Sequence, residues 1–159
     1  MNIGTSPVQA VRAPQRVLIA VDGSEIALDA LRTGLTFSRA DTEFRAIYVV
    51  DPPPMLGDFV LGGALEEALI GEGNHVLQGA TAILEGTARH AQSQLIHADR
   101  TGADVSHLIV RDALEWNADM IVMGTHGRRG VTGWLVGSVA GRVARITKTP
   151  VLLVHASRA

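Results

Sequence analysis

A chain of 159 residues that is 47% hydrophobic but only 4% aromatic suits one domain with a core of Val, Ile, Leu and Ala. A formal net charge of -2 argues against bulk attraction to nucleic acid or to a membrane surface. With no cysteine, disulfides, thiol catalysis and Cys-based zinc sites are excluded, which fits a reducing cytoplasm.

No apolar run approaches the ~18 residues of a membrane span. The opening MNIGTSPVQAVRAPQ lacks the apolar centre of a signal peptide and reads as a flexible tail over residues 1–14. The remainder, 15–157, reads as one domain. Val17 to Val21 (VLIAV) has strand length and no polar alternation, as expected of a central strand. It stops at Asp22-Gly23-Ser24. A helix comes next, capped by Asp22 or Ser24, with Glu25 three residues after Asp22 in capping-box spacing. Ala27, Leu28, Leu31, Gly34 and Leu35 supply its apolar face, and it ends near Arg39.

Glu43 to Val50 (EFRAIYVV) is the second strand, closed by Asp51 and three prolines that neither continue a strand nor enter a helix interior. Residues 52–74, rich in glycine, are expected to form a mobile loop, or a loop with a short helix over Ala64 to Ile70. A helix is expected from Val76 to Ala91, a weaker strand near an edge over Gln92 to Ala98, and a helix over Asp104 to Asn117. Met120 to Gly124 is the fourth strand. A glycine-studded loop leads to a helix from about Ser138 to Thr147, and Val151 to Val154 is the last strand. Alternating strands and helices predict right-handed crossovers and a doubly wound parallel sheet of five strands, with helices on both faces.

The strand, glycine loop and helix start over Gly124 to Ser138 are the physical recipe for holding phosphate. Neither common version fits. No lysine lies between Gly124 and Gly141, so the Walker pattern fails, and the dinucleotide GxGxxG fails because the first strand ends in DGSE. The spacing is Gly124-x2-Gly127-x9-Gly137-Ser138. With VLIAVDGSE, YVVD, ADMIVMGTHG and KTPVLLV in the same order, it resembles the universal stress protein family over nearly the whole globular length. That resemblance implies a Rossmann-like fold with strand order 3-2-1-4-5, and binding of ATP with Mg2+ accompanying the nucleotide.

The resemblance also assigns positions. Asp22 corresponds to the acidic residue facing the ribose or its bound metal, a role compatible with capping a helix. Ala20 and Val21 stand beside the nucleotide, Val49 meets the adenine edge through its backbone, and Met123 lies against the nucleoside. Gly124, Gly127, Gly137, Ser138 and Val139 approach the sugar and phosphates. Arg128 and Arg129 are placed for phosphate or for solvent, and His126 stands between two pocket glycines. The remaining histidines show no metal-ligand spacing.

No activating base or leaving-group acid is legible around Ser24 or Ser138, and Asp22 is a single carboxylate. The expected function is therefore an ATP-binding module of stress response or signalling rather than an efficient catalyst. A slow Mg2+-dependent ATP hydrolase at the same pocket and a non-catalytic dimeric scaffold are the alternatives. A nucleotidyl-activating enzyme of the related SGGxDS type is disfavoured by VDGSE. The resemblance implies a homodimer formed through Val151–Val154; neither nucleic acid nor membrane is an expected partner.

Overall fold

The computed structural model describes residues 13–37, 39–52, 60–87, 90–98, 104–127 and 136–155, without the side chains of 60–62. Nearly all of the expected tail lies outside the described residues. The chain runs β1 (Arg16–Ala20), α1 (Glu25–Leu35), β2 (Glu43–Val50), α2 (Val60–Glu85), β3 (His90–His97), α3 (Val105–Glu115), β4 (Met120–Gly124), α4 (Ser138–Ile146) and β5 (Val151–Val154). The strands form one sheet in the order β3-β2-β1-β4-β5, every pair parallel, as expected.

The centre of the sheet is where the sequence is most uniformly apolar. Val17, Leu18 and Ile19 of β1 are fully buried, and each such side chain contributes about 1.5–3 kcal/mol. Val17 and Ile19 face one layer with Phe44, Tyr48, Val122, Leu31 of α1 and Leu77 and Leu84 of α2. Leu18 faces the other with Ile47, Ile121, Leu108 and Ile109 of α3 and Val143 of α4. The entrance to β1 is fixed to β4 by Asp119, whose carboxylate accepts from the backbone N–H of Gln15 and of Arg16 at 2.9 Å each.

The helix α2 departs from the sequence reading. It begins at Val60, so residues 60–74 are helical where the sequence predicts a mobile loop, or a loop with a short helix over Ala64 to Ile70; the helix includes that short one and extends it, while 53–59 lie outside the described residues. Its end at Glu85 precedes the expected Ala91, because β3 starts at His90 in register with Glu43. Glycine costs about 1 kcal/mol in a helix, so composition alone argues for a loop. Packing overrides it: Leu69, Ile70, Leu77, Ala80 and Leu84 recur at helical spacing against the sheet. Gly73 is the closest approach. A Cβ there would sit 2.6 Å from Leu95 Cδ1 and 2.7 Å from Tyr48 Cδ1, so the missing side chain lets α2 lie on β2 and β3. Across 26 residues α2 is about 39 Å long, against about 26 Å for the eight-residue β2, so its first turns run past the C-terminal end of the sheet.

One charged pair is built into the layer between β2 and α3. Arg45 Nη1 lies 3.3 Å from Asp112 Oδ1, with side-chain exposures of 17% and 6%. The Arg45 guanidinium also covers the Trp116 ring at 4.6 Å and donates to the side-chain oxygens of Gln92 and Gln94. No helix among the described residues is long and apolar enough to cross a membrane.

Candidate functional site

From β1 the chain turns one way, to β2 and β3, and later returns to lay β4 and β5 on the other side. A crevice must open where the order reverses, at the C-terminal ends of β1 and β4. A cleft of about 790 Å³ lies there, within the size range of small-molecule sites. A second hollow of about 730 Å³ sits between α2 and β3, but it is a shallower surface lined by Asn74, Gln78 and Ser93, away from the strand ends.

The turn after β1 shapes one wall. Val21 N–H donates to Ile47 C=O at 2.9 Å, carrying the sheet one residue past Ala20. Asp22 Oδ1 then accepts from Ser24 N–H at 3.0 Å and from the Ser24 hydroxyl at 2.6 Å. Gly23 takes φ of +84°, the left-handed region that only glycine enters freely. The N-cap of α1 is Ser24, whose Oγ accepts from Ala27 N–H at 3.2 Å. The capping-box spacing of Asp22 and Glu25 is thus overturned: Glu25 is the first helical residue, too early in the turn to reach back. With Ser24 as the cap, Asp22 turns its other oxygen across the cleft. A Cβ on Gly127 would stand 2.6 Å from Asp22 Oδ2.

The opposite wall is β4 and the turn leading out of it. At Gly124 a Cβ would come within 3.0 Å of Ile26 Cγ2 and 3.2 Å of His126 O, so a side chain there would push on both walls of the turn. Thr125 is fully buried and ties three elements together. Its N–H donates to Val154 C=O at 2.9 Å, its C=O accepts from Gly137 N–H at 2.7 Å, and its hydroxyl bridges two histidine rings. Gly137 is the N-cap of α4 and makes no side-chain cap bond. Ser138 is therefore the first helical residue, so its hydroxyl is not consumed in capping. The unpaired N–H groups of this first turn, with the helix dipole behind them, favour a negative oxygen.

The cleft brings together Ala20, Val21, Asp22, Val49, Met123, Gly124, Gly127, Gly137, Ser138 and Val139. Arg128 and Arg129 lie outside the described residues. The lining adds Asp51, Leu69, Glu72, Thr125 and Ile109, which sequence reasoning did not single out. Leu69 and Glu72 come from the stretch read as a loop, or as a loop with a short helix over Ala64 to Ile70, and the helical recurrence of Leu69, Ile70, Leu77 and Leu84 was the signal for the longer helix. Thr125 stood inside ADMIVMGTHG without distinction, because its partners are a carbonyl on β5 and a glycine twelve residues on. The described residues contain no group of three side chains able to hold a metal ion by themselves.

The profile of the universal stress protein family matches residues 14–155. Universal stress protein MJ0531 of Methanocaldococcus jannaschii is 34% identical over 143 residues, spanning 88% of this chain and 81% of that one. Two solved structures share the fold. A universal stress protein in complex with cAMP has a TM-score of 0.59 and 27% identity, covering 92% of this chain and all of its own. The universal stress protein from Archaeoglobus fulgidus in complex with dAMP has a TM-score of 0.66 and 22% identity, covering 90% and 99%.

Proposed function

The chain belongs to the universal stress protein family, and from that premise we propose that it is an ATP-binding module of stress response or signalling rather than an efficient catalyst. The carrying observation is the closeness of the cleft walls at glycine. Gly137 faces the main-chain Thr125 O at a distance that leaves no room for a Cβ, and a Cβ on Gly127 would crowd Asp22 Oδ2, so bare backbone lines the cleft there. The N–H groups of the first turn of α4, after Gly137, have no helical acceptor and are available to a ligand. Relatives of the same fold bind cAMP and dAMP, which supports a nucleotide as that ligand. In this reading Ala20, Val21, Val49 and Met123 hold the nucleoside, and Gly124, Gly127, Arg128, Gly137, Ser138 and Val139 surround the sugar and phosphates. The direct test is mass spectrometry of small molecules released from freshly purified protein, then equilibrium binding. Adenine nucleotide is expected, and protein that carries none and takes up none in solution would overturn the reading.

Mg2+ fits this cleft as a companion of the nucleotide. It commonly keeps its waters and binds through phosphates and one or two carboxylates. Asp22, oriented by Ser24, offers one such carboxylate directly or through water. When bound, the ion neutralises phosphate charge. In single-turnover assays ATP with Mg2+ is expected to persist, and Asp22→Ala to weaken binding without changing that trace. Product formation that disappears in Asp22→Ala would instead support a slow hydrolase.

A homodimer through β5 belongs to the same reading. This strand is an edge, and Val151, Leu152, Leu153 and Val154 are all partly exposed. Unpaired edges with apolar side chains invite a second chain. Leu153→Asp is expected to sediment as a monomer, and a dimer unchanged by that substitution would remove the interface. A cytoplasmic location accompanies this reading.

A further inference from the structure

The Thr125 hydroxyl lies between two imidazoles, 3.1 Å from His126 Nδ1 and 3.2 Å from His155 Nδ1. His126 lines the cleft, whereas His155 is exposed at the end of β5. The opposite ring nitrogen, His126 Nε2, is buried and has no hydrogen-bond partner among the described residues. A hydroxyl has one proton to give and two lone pairs. Among the described residues this hydroxyl has no third partner, so its proton must go to one of the two Nδ1 atoms. The other Nδ1 must then carry a proton and donate to the oxygen. Two bare Nδ1 atoms would set one nitrogen lone pair against the oxygen lone pairs at 3.1 or 3.2 Å with no proton between them, and two protonated ones would leave the hydroxyl proton unused.

Two arrangements of the neutral rings remain. In one, Thr125 donates to His126 Nδ1, which makes His126 Nε2 an N–H donor and puts the His155 proton on Nδ1. In the other, every assignment reverses. Passing from the second to the first moves the shared protons along the chain towards His155. One proton enters at His126 Nε2 from water when that nitrogen is uncovered and one leaves to water at His155 Nε2, so neither ring changes charge.

Building on the nucleotide reading of the cleft, we infer that His126 is a further ligand-binding residue, whose Nε2–H donates to an anionic phosphate oxygen, and that Thr125 and His155 hold the tautomer this requires. The unpartnered nitrogen is the observation that calls for a ligand atom. Because Nε2 is shielded from water, the bond to phosphate replaces no solvent bond, and the ligand must displace what covers the atom. Occupancy of the cleft is then written onto His155, at the end of the edge strand, as a proton on Nδ1 and a bare Nε2.

Long-range 1H–15N correlation spectra of histidine-labelled full-length protein read each ring nitrogen directly. Above the histidine titration range and without ligand, His126 and His155 should show opposite or exchange-averaged Nδ1 protonation. Both rings in the Nε2–H form would overturn the chain whether or not any nucleotide binds. Saturating ATP should fix His126 as Nε2–H and His155 as Nδ1–H, whereas adenosine should leave the pair as it was. ATP that shifts the Gly124 and Gly127 amides but leaves His126 unchanged would overturn the donor role, as would an equal switch by adenosine. Failure of any nucleotide to shift those amides would count against the functional reading itself. In Thr125→Val, ATP should still shift the glycine amides but no longer reach His155, and Thr125→Ser should restore the response. A His155 response that survives in Thr125→Val would exclude the bridge. His126→Ala should weaken ATP about tenfold and adenosine hardly at all.

Discussion

Gly137→Val is expected to weaken ATP binding about a hundredfold or more while the protein remains folded. The cause is local. A Cβ at Gly137 would lie 2.9 Å from Thr125 O, a main-chain atom that cannot swing aside, and the same oxygen accepts from Gly137 N–H at 2.7 Å. Relief of the contact must shift the start of α4 away from β4, and with it the first-turn N–H groups proposed to meet phosphate. A displacement costing roughly 2.7 kcal/mol of binding is a hundredfold change. Gly141→Ala, on the same helix, is the control. Its Cβ would meet Val136 Cγ1 at 3.7 Å, an ordinary contact, and affinity should be unchanged. Titration calorimetry of the two variants checks this; a folded Gly137→Val protein that binds like wild type would contradict this picture of the cleft.

Arg45→Met should destabilise the fold by about 3–5 kcal/mol, the cost of leaving a buried charge unpaired. Asp112 is nearly enclosed, and loss of the guanidinium strands its carboxylate beside Trp116. Removing both charges in Arg45→Met with Asp112→Leu should recover most of that loss, because the desolvation cost disappears with the charges. Urea denaturation of both single variants and the double variant gives the coupling directly, and additive effects would show that the pair is not coupled. The pH dependence has a definite sign. Burial pushes the Asp112 carboxyl above its ordinary value of 3.8, outweighing the lowering by Arg45. The folded state therefore binds a proton more readily than the unfolded one, and the contribution of this group to stability falls as pH rises through that window. Asp112→Asn should remove that slope.

These two sites also mark what the sequence disclosed and what it withheld. The sheet was legible because VLIAV, EFRAIYVV, MIVMG and VLLV are short apolar runs between turn signals, and their alternation with helices leaves few topologies. The glycine spacing was legible because backbone approach leaves its trace directly in residue identity. Arg45 was not: a charge in a strand says nothing of a partner 67 residues away on another layer. The start of α2 was hidden for the opposite reason. Its glycines carry a local preference against helix, and only contact with Tyr48 and Leu95 turns Gly73 from a breaker into a fitting piece. Between Asp22 and Ser24 local rules allowed either cap. The choice fell to Ser24, which left the carboxylate facing the cleft.

The position of β1 has a consequence for how the protein is made. It pairs with β2, the next strand in the chain, and with β4, joined to it by contacts such as Arg16 to Asp119 across 103 residues. Loop-closure entropy favours the near pairing first, so the segment from β1 to β3 can assemble while β4 is still being synthesised. The cleft does not exist at that stage, since Gly124, Thr125 and Gly137 arrive only when the second half docks. A ligand of the finished cleft therefore acts on the last joining step. At a hundred times its dissociation constant it would add about 2.7 kcal/mol to the assembled state and slow its opening, leaving the first half's folding rate untouched.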